Sequence, residues 1–315
     1  NLKNEAAHWG ERVLLVYGGG SIKRTGVYDQ VMAQLAGTQV WELGGVQPNP
    51  RLSLVREGIR LCHEHDIQLV LAVGGGSAID TAKAIANGAC YDGDVWDLFD
   101  GKGENTEVLP LGTVVTIPAA GSEMSNSSVI TREEDLCKRG RNTPLNFPKF
   151  SILNPEFTYT LPPFQTACGV VDIMAHMMER YFTRVTHVEL IDRMTEGALK
   201  TVVGNAPIVM HEPENYDARA EIMWAGCLAH NTLFQTGRVG DWASHKLEHE
   251  LSALYDIAHG AGLAVVWPAY LEFFARRGLF LHLPQDVRAD GADIIALLHK
   301  EISELQNLAG GLVQR

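Results

Sequence analysis

Basic residues are scarce in this chain: 26 Lys and Arg stand against 38 Asp and Glu in 315 residues, a net charge of −12. So acidic a chain repels a phosphate backbone, which argues against nucleic acid as a partner. No run of about 18 uncharged apolar residues occurs. The best stretch, Gly262 to Phe274, is broken by Pro268 and Glu272, so no membrane association is expected. The opening residues Asn1 to Glu5 are polar and lack the apolar core of a secretory signal. Cysteines number only five (Cys62, Cys90, Cys137, Cys168 and Cys227), with no CxxC spacing. That favours reduced thiols and a cytoplasmic location over a disulfide framework. Internal repeats and low-complexity segments are also missing.

What is present suffices for a full core: 46% of residues are hydrophobic and 20% charged. The length allows roughly two domains. Glycine, at 31 residues, exceeds the background of ~7%, and it includes two GGG runs, Gly18–Gly20 and Gly74–Gly76. Short apolar runs at Val13–Tyr17, Gln39–Leu43, Leu69–Val73 and Leu111–Ile117 read as strands. Tyr28–Leu35, Leu52–His65 and Ala78–Ala89 have helical spacing between them. This alternation predicts a parallel sheet covered on both faces, with ligands at the carboxyl ends of its strands. Around Asn154 to Pro163 the texture changes. After the prolines the segments Phe164–Phe182, Val188–Val203, Ala218–Leu233, Trp242–Leu254 and Ile294–Leu308 all read as helices. The expected organisation is an α/β dinucleotide-binding domain over 1–160 and a helical metal-binding domain over 161–315.

Both GGGS sequences follow predicted strands. Bare backbone N–H groups at a helix start bind phosphate, and glycine lets a diphosphate approach closely; a plain tight turn is the alternative. Ser77 with Asp80 three residues on resembles a capping box. Neither run matches GxGxxG. The first turn carries Ser21, Lys23 and Arg24 where many NAD-binding folds hold the ribose with an acidic residue. A hydroxyl and cations there favour NADP over NAD, the alternative being solvated surface charges.

Asp172 and His176 are four apart in an otherwise apolar helix, and so share a face. A buried carboxylate needs a cation or strong donors. Further on, His245 and His249 are again four apart, and His259 follows. One carboxylate and up to four imidazoles suit a divalent ion such as Zn or Fe(II); histidines on a helix surface are the alternative for the late pair. Ala253 stands where HExxH would need its second histidine, so the zinc-protease reading fails. Spacing alone leaves open which histidines bind.

Several stretches resemble the iron-containing (group III) alcohol dehydrogenase family, most closely its butanol-dehydrogenase-like, NADPH-dependent aldehyde reductase branch. They are Tyr17 to Ser21 with Lys23, Gly44 to Pro50, Ala72 to Ser77 with Asp80, and Ile117 to Glu123. Further on come Tyr159 to Pro163, Gly169 to Asp172 with His176, and Asp241 to His245 through His259. The resemblance implies a dehydroquinate-synthase-like fold of the two domains just described. It also implies the ligand set Asp172, His176, His245 and His259, with His249 as a near-site proton relay or substrate contact, unless it only packs. By the same resemblance Gly19, Gly20, Ser21, Gly75, Gly76, Ser77, Asp80, Thr116 and Ser122 contact the cofactor diphosphate and ribose. Lys138 reaches the nicotinamide ribose, although its flanking segment departs from the family. Thr158 and Leu161 line the adenosine side. A glycine where NAD-preferring members are acidic again supports NADP.

The implied activity is reversible hydride transfer between NADP(H) and a primary alcohol/aldehyde pair, assisted by one divalent metal, Fe(II) or Zn. The expected assembly is a homodimer, and Trp242 and Phe234 are expected to help line an apolar substrate pocket. Rival readings are a lyase of the dehydroquinate synthase type, which needs more cations near the ligands, and a non-catalytic dinucleotide-binding protein with a structural metal. Against the family, the sequence is expected to lack a leading strand before Val13 and helical sequence after about Phe274.

Overall fold

The computed structural model describes residues 1–276, with backbone only at 273–276. The helix expected over 294–308 lies outside the described residues. The chain divides into two compact units: residues 1–117 with 121–160, and residues 118–120 with 161 onward.

The first unit begins with α1 (Leu2–Trp9), β1 (Arg12–Tyr17), a short α2 (Ser21–Arg24), α3 (Val27–Gln34) and β2 (Gln39–Leu43). It continues through α4 (Leu52–Glu64), β3 (Leu69–Gly74), α5 (Gly76–Gly88), α6 (Val95–Phe99) and β4 (Leu111–Val115). A hairpin of β5 (Ser127–Arg132) and β6 (Cys137–Asn142) and a last strand, β7 (Phe150–Leu153), complete it. The main sheet is parallel throughout, in the order β2-β1-β3-β4-β7. Val13 to Val16 and Leu69 to Val73 are wholly buried, as expected of a parallel sheet covered on both faces. Strand order reverses between β1 and β3, and the register pairs Tyr17 with Val73. The two GGGS turns therefore leave neighbouring strands at the same level, at the switch point where such sheets bind ligands.

Besides the short α2 and α6, further elements of this unit were not legible. The charges Lys3 and Glu5 obscured α1. The hairpin was hidden because β6 reads Cys-Lys-Arg-Gly-Arg-Asn, without apolar alternation, and β7 has only four residues. The capping-box expectation is corrected: Gly75 is the N-cap of α5 and no side chain caps it. Asp80 instead accepts Ser122 Oγ at 2.6 Å and Val129 N at 2.9 Å, which braces the segment after β4.

In the second unit every regular element among the described residues beyond 160 is helical. These are α7 (Pro163–Tyr181), α8 (Glu189–His211), α9 (Tyr216–His230), α10 (Ala243–Tyr255) and α11 (His259–Arg276), joined by short turns that include a 3-10 turn at Leu233–Gln235. The apolar Gly262–Phe274 stretch lies in α11, and Pro268 inside it had masked the helix; Pro207 likewise sits inside α8, which runs on to His211. The central helix is α7. Its Val170, Ile173, Met174, Met177 and Met178 enter a core with Leu199, Val202, Ile222 and Trp267. At about 1.5–3 kcal/mol for each fully buried side chain, this core can hold polar groups of the same helix in a dry interior. Among the described residues no helix is long and apolar enough to cross a membrane.

Candidate functional site

In the first unit the glycine turns supply backbone rather than side chains. Gly20 has φ +87°, a left-handed conformation that glycine adopts without strain. At Gly75 a Cβ would come within 2.9 Å of Ile117 Cβ. Gly19, Gly20 and Ser21 thus lead into α2, and Gly75, Gly76 and Ser77 open α5, whose free first-turn N–H groups and dipole favour a phosphate. Thr116 is buried at the end of β4, its N–H donated to Gly74 O at 3.0 Å. Ser122 and Asp80 are bound to each other, as described above. Lys138 Nζ donates to Asn49 Oδ1 at 2.9 Å. Thr158 is wholly buried and donates its hydroxyl to Pro155 O at 2.7 Å. Leu161, half-buried, falls in the second unit.

Lys23 is not a bare surface charge. Its Nζ lies 2.9 Å from Glu42 Oε2 and over the rings of Tyr28 and Tyr17. The Glu42 carboxylate, on β2, also accepts both tyrosine hydroxyls, at 2.6 and 2.7 Å. The Tyr28 hydroxyl first, then Tyr17 and Lys23, pull its pKa down to about 2 against the effect of burial.

In the second unit α7, α10 and α11 bring the candidate ligands together. Asp172, His245 and His259 offer ligand atoms that all lie within 4.8 Å of one another. His245 Nε2 is 3.9 Å and His259 Nε2 3.7 Å from Asp172 Oδ1. His176 stands beside them, its Nδ1 2.9 Å from both the carboxylate and the backbone oxygen of Asp172. Its ring is 4.5 Å from that of His245. Gly260 makes the approach of α11 possible, because a Cβ there would meet Cys168 O at 2.1 Å. His249, half-buried, has its ring 5.5 Å from that of His259.

The electrostatics suit a cation. Burial alone would raise the Asp172 carboxyl, but His176, His259 and His245 outweigh it and hold the group well below the usual carboxylate range. Burial, then the neighbouring His176 and His259, pushes His245 well below the usual histidine value. An ionised carboxylate facing a neutral imidazole is the donor state that a divalent metal requires. His245 Nε2 is buried with no hydrogen-bond partner, and it faces the buried Asp172 Oδ1, which has His176 Nδ1 2.9 Å away. An atom so placed is costly to bury unless something else satisfies it, and a shared metal would do so. The residues present therefore fit the group.

Sequence reasoning missed three neighbours. Glu179, wholly buried, accepts His245 Nδ1 at 3.0 Å. Glu248, equally buried, contacts His259 Nδ1. His230 Nδ1 lies 2.8 Å from Ala120 O, with its ring 4.3 Å from that of His176. A signal for Glu179 existed: it lies seven residues after Asp172 and three after His176 on the same apolar helix, and so on their face. Trp242 does border the cluster, 5.3 Å from the His245 ring between centroids. Phe234 is buried in the helical core.

Residues 1–155 match the family described as iron-containing alcohol dehydrogenase, and residues 166–301 its C-terminal counterpart. A probable NADH-dependent butanol dehydrogenase of Bacillus subtilis is 50% identical over 272 residues, 86% of this chain and 70% of that protein. The NADPH-dependent aldehyde reductase YqhD of Escherichia coli is 42% identical over 261 residues, 82% of this chain and 67% of that protein. The crystal structure of NADH-dependent butanol dehydrogenase A from Thermotoga maritima superimposes with a TM-score of 0.85 at 38% identity, covering 97% of this chain and 77% of that one. The chain belongs to the iron-containing alcohol dehydrogenase family.

Proposed function

We propose that this alcohol/aldehyde oxidoreductase is an NADP(H)- and metal-dependent enzyme that works mainly as a reductase of primary aldehydes. Asp172, His176, His245 and His259 hold one divalent ion, Fe(II) or Zn. The observation that carries this reading is the convergence of three ligand groups at the buried Asp172 carboxylate, with His245 Nε2 buried and unsatisfied among them. A metal bound there supplies Lewis acidity to the alcohol or aldehyde oxygen, and the nicotinamide supplies or takes the hydride.

The chain's own residues do the rest. Gly19, Gly20, Gly75 and Gly76 bind the diphosphate through backbone N–H groups, with Ser21 and Ser77 adding hydroxyls. Asp80 and Ser122 brace the strand ends, Thr116 and Lys138 face the ribose, and Thr158 and Leu161 support the adenosine side. Trp242 shields the cluster from water. His249 accepts the proton from the alcohol, or returns it to the product, through Nδ1 or Nε2. A homodimer in the cytoplasm completes the proposal; all five cysteines are free thiols.

Cofactor choice has a second reading with its own observation. Lys23 is already engaged by Glu42, which leaves less positive charge for a 2′-phosphate, and the Bacillus and Thermotoga relatives carry NADH in their names. The ratio of kcat/KM for NADPH and NADH decides between the two. Metal dependence is tested by aldehyde-driven NADPH oxidation before and after chelation. Activity is expected to vanish and to return with Fe(II) or Zn; full turnover in metal-free protein would reject the reading.

A further inference from the structure

Resting on the metal site proposed above, we infer that Glu179 and Glu248 are a matched pair of positioning residues, each fixing the ring orientation and tautomer of one metal-ligating histidine. Glu179 holds His245 and Glu248 holds His259.

Both carboxylates are wholly buried, and a buried carboxylate persists only where donors satisfy it. Glu179 meets that need from another helix. Its Oε1 accepts Ser244 Oγ at 2.5 Å, His245 N at 3.1 Å and His245 Nδ1 at 3.0 Å, and its Oε2 accepts Trp242 N at 2.7 Å. Trp242 is the N-cap of α10 and offers no side-chain cap. Glu179 thus takes up orphan N–H groups of that helix start and seizes the imidazole with the same oxygen. Glu248 sits three residues after His245 on α10 and contacts His259 Nδ1 on α11. Room for it depends on Gly262, where a Cβ would come within 2.6 Å of Glu248 Oε1.

The chemical consequence follows from imidazole itself. A neutral ring has one N–H and one lone pair. With Nδ1–H donated to a carboxylate, the lone pair resides on Nε2, and these are the nitrogens that face Asp172 Oδ1. A carboxylate partner also makes the ligating nitrogen more basic than a carbonyl partner would. His176 differs on this point, since its Nδ1 faces oxygens of Asp172 itself. The two late histidines are therefore held by separate glutamates, and His176 by its neighbour on the same helix.

The test uses purified full-length protein loaded with Zn(II) or Co(II), in Glu248→Gln, Glu179→Gln, His245→Ala and His259→Ala forms. Metal retention is measured against a chelator series, the Co(II) absorption spectrum is recorded, and circular dichroism of the metal-free proteins reports folding. Each glutamine variant is expected to bind metal about 10–100-fold more weakly, with a shifted Co(II) band and an unchanged metal-free fold. Should Glu179→Gln fail to fold, Glu248→Gln at the other histidine carries the test. Wild-type affinity and spectrum in the folded glutamine variants, with metal lost from the histidine variants, would overturn the positioning role alone. Retention in the histidine variants as well would overturn the metal site on which it rests.

Discussion

On the function proposed above, the glycine turns of the first unit and the ligand cluster of the second would bind by opposite means. At Gly20 and Gly75 the useful groups are backbone N–H, and what matters is that no side chain stands in the way. At Asp172, His245 and His259 the useful groups are side-chain tips, and each must be aimed by something else: α7 and its core for Asp172, Glu179 for His245, Glu248 for His259. The first kind of site should tolerate loss of nearby charge but not an added Cβ. The second should tolerate neither the loss of a ligand nor the loss of the group that aims it.

The sharpest contrast comes from Asp172→Asn. It removes the one buried carboxylate among the ligands, so bound metal should be lost and aldehyde reduction should fall roughly a thousandfold, because Lewis-acid assistance is worth several kcal/mol. Fluorescence titration with NADPH should show cofactor binding little changed, and a parallel loss of cofactor affinity would break the contrast. Next is Gly75→Val, which sets a branched side chain against Ile117. Overpacking of about 1–3 kcal/mol should raise the cofactor KM about tenfold or more, while metal content per chain stays at the wild-type value.

Gly260→Ala tests the second unit by packing rather than by ligation. Its Cβ would meet Cys168 O, so α11 must shift, which should cost about 1–3 kcal/mol. Thermal unfolding should show a lower Tm, and metal retention should weaken because His259 is the adjacent residue. The smallest effect belongs to Glu42. Its folded pKa, about 2, lies below its ordinary value of 4.5. Its contribution to stability is therefore complete above about pH 4.5 and is lost as pH falls toward 2. Glu42→Gln should flatten that part of the acid limb in melts recorded from pH 5 to 3, and should raise the NADPH:NADH preference by freeing Lys23.

The sequence alone made the comparison half visible. Strands β1 and β3 were readable because a strand buried on both faces is written as a near-continuous run of Val and Leu, and β2 and β4 as shorter, interrupted apolar runs. The GGGS turns were readable because backbone sites leave a compositional trace. Asp172 and His176 stood out as polar residues on an apolar helix, and α11 was lost only because Pro268 sits inside it. The hairpin β5–β6 left no apolar alternation to find, since its pairing is made by backbone on a charged strand. Which late histidines converge is not a local property: it depends on Gly260 letting α11 close on α7, a contact between residues more than ninety positions apart. Glu248 carried the ordinary signature of surface charge and only its complete burial marks it as part of the site, whereas Glu179 could have been found from its place on the Asp172–His176 face.

The central claim is that the ligand cluster of the second unit holds the metal on which turnover depends. Metal content per chain, measured beside aldehyde-dependent NADPH oxidation in wild-type and His259→Ala protein, tests it most directly. One metal per chain with turnover is expected in the wild type, and the loss of both in the variant. Wild-type metal content and turnover in His259→Ala would contradict it.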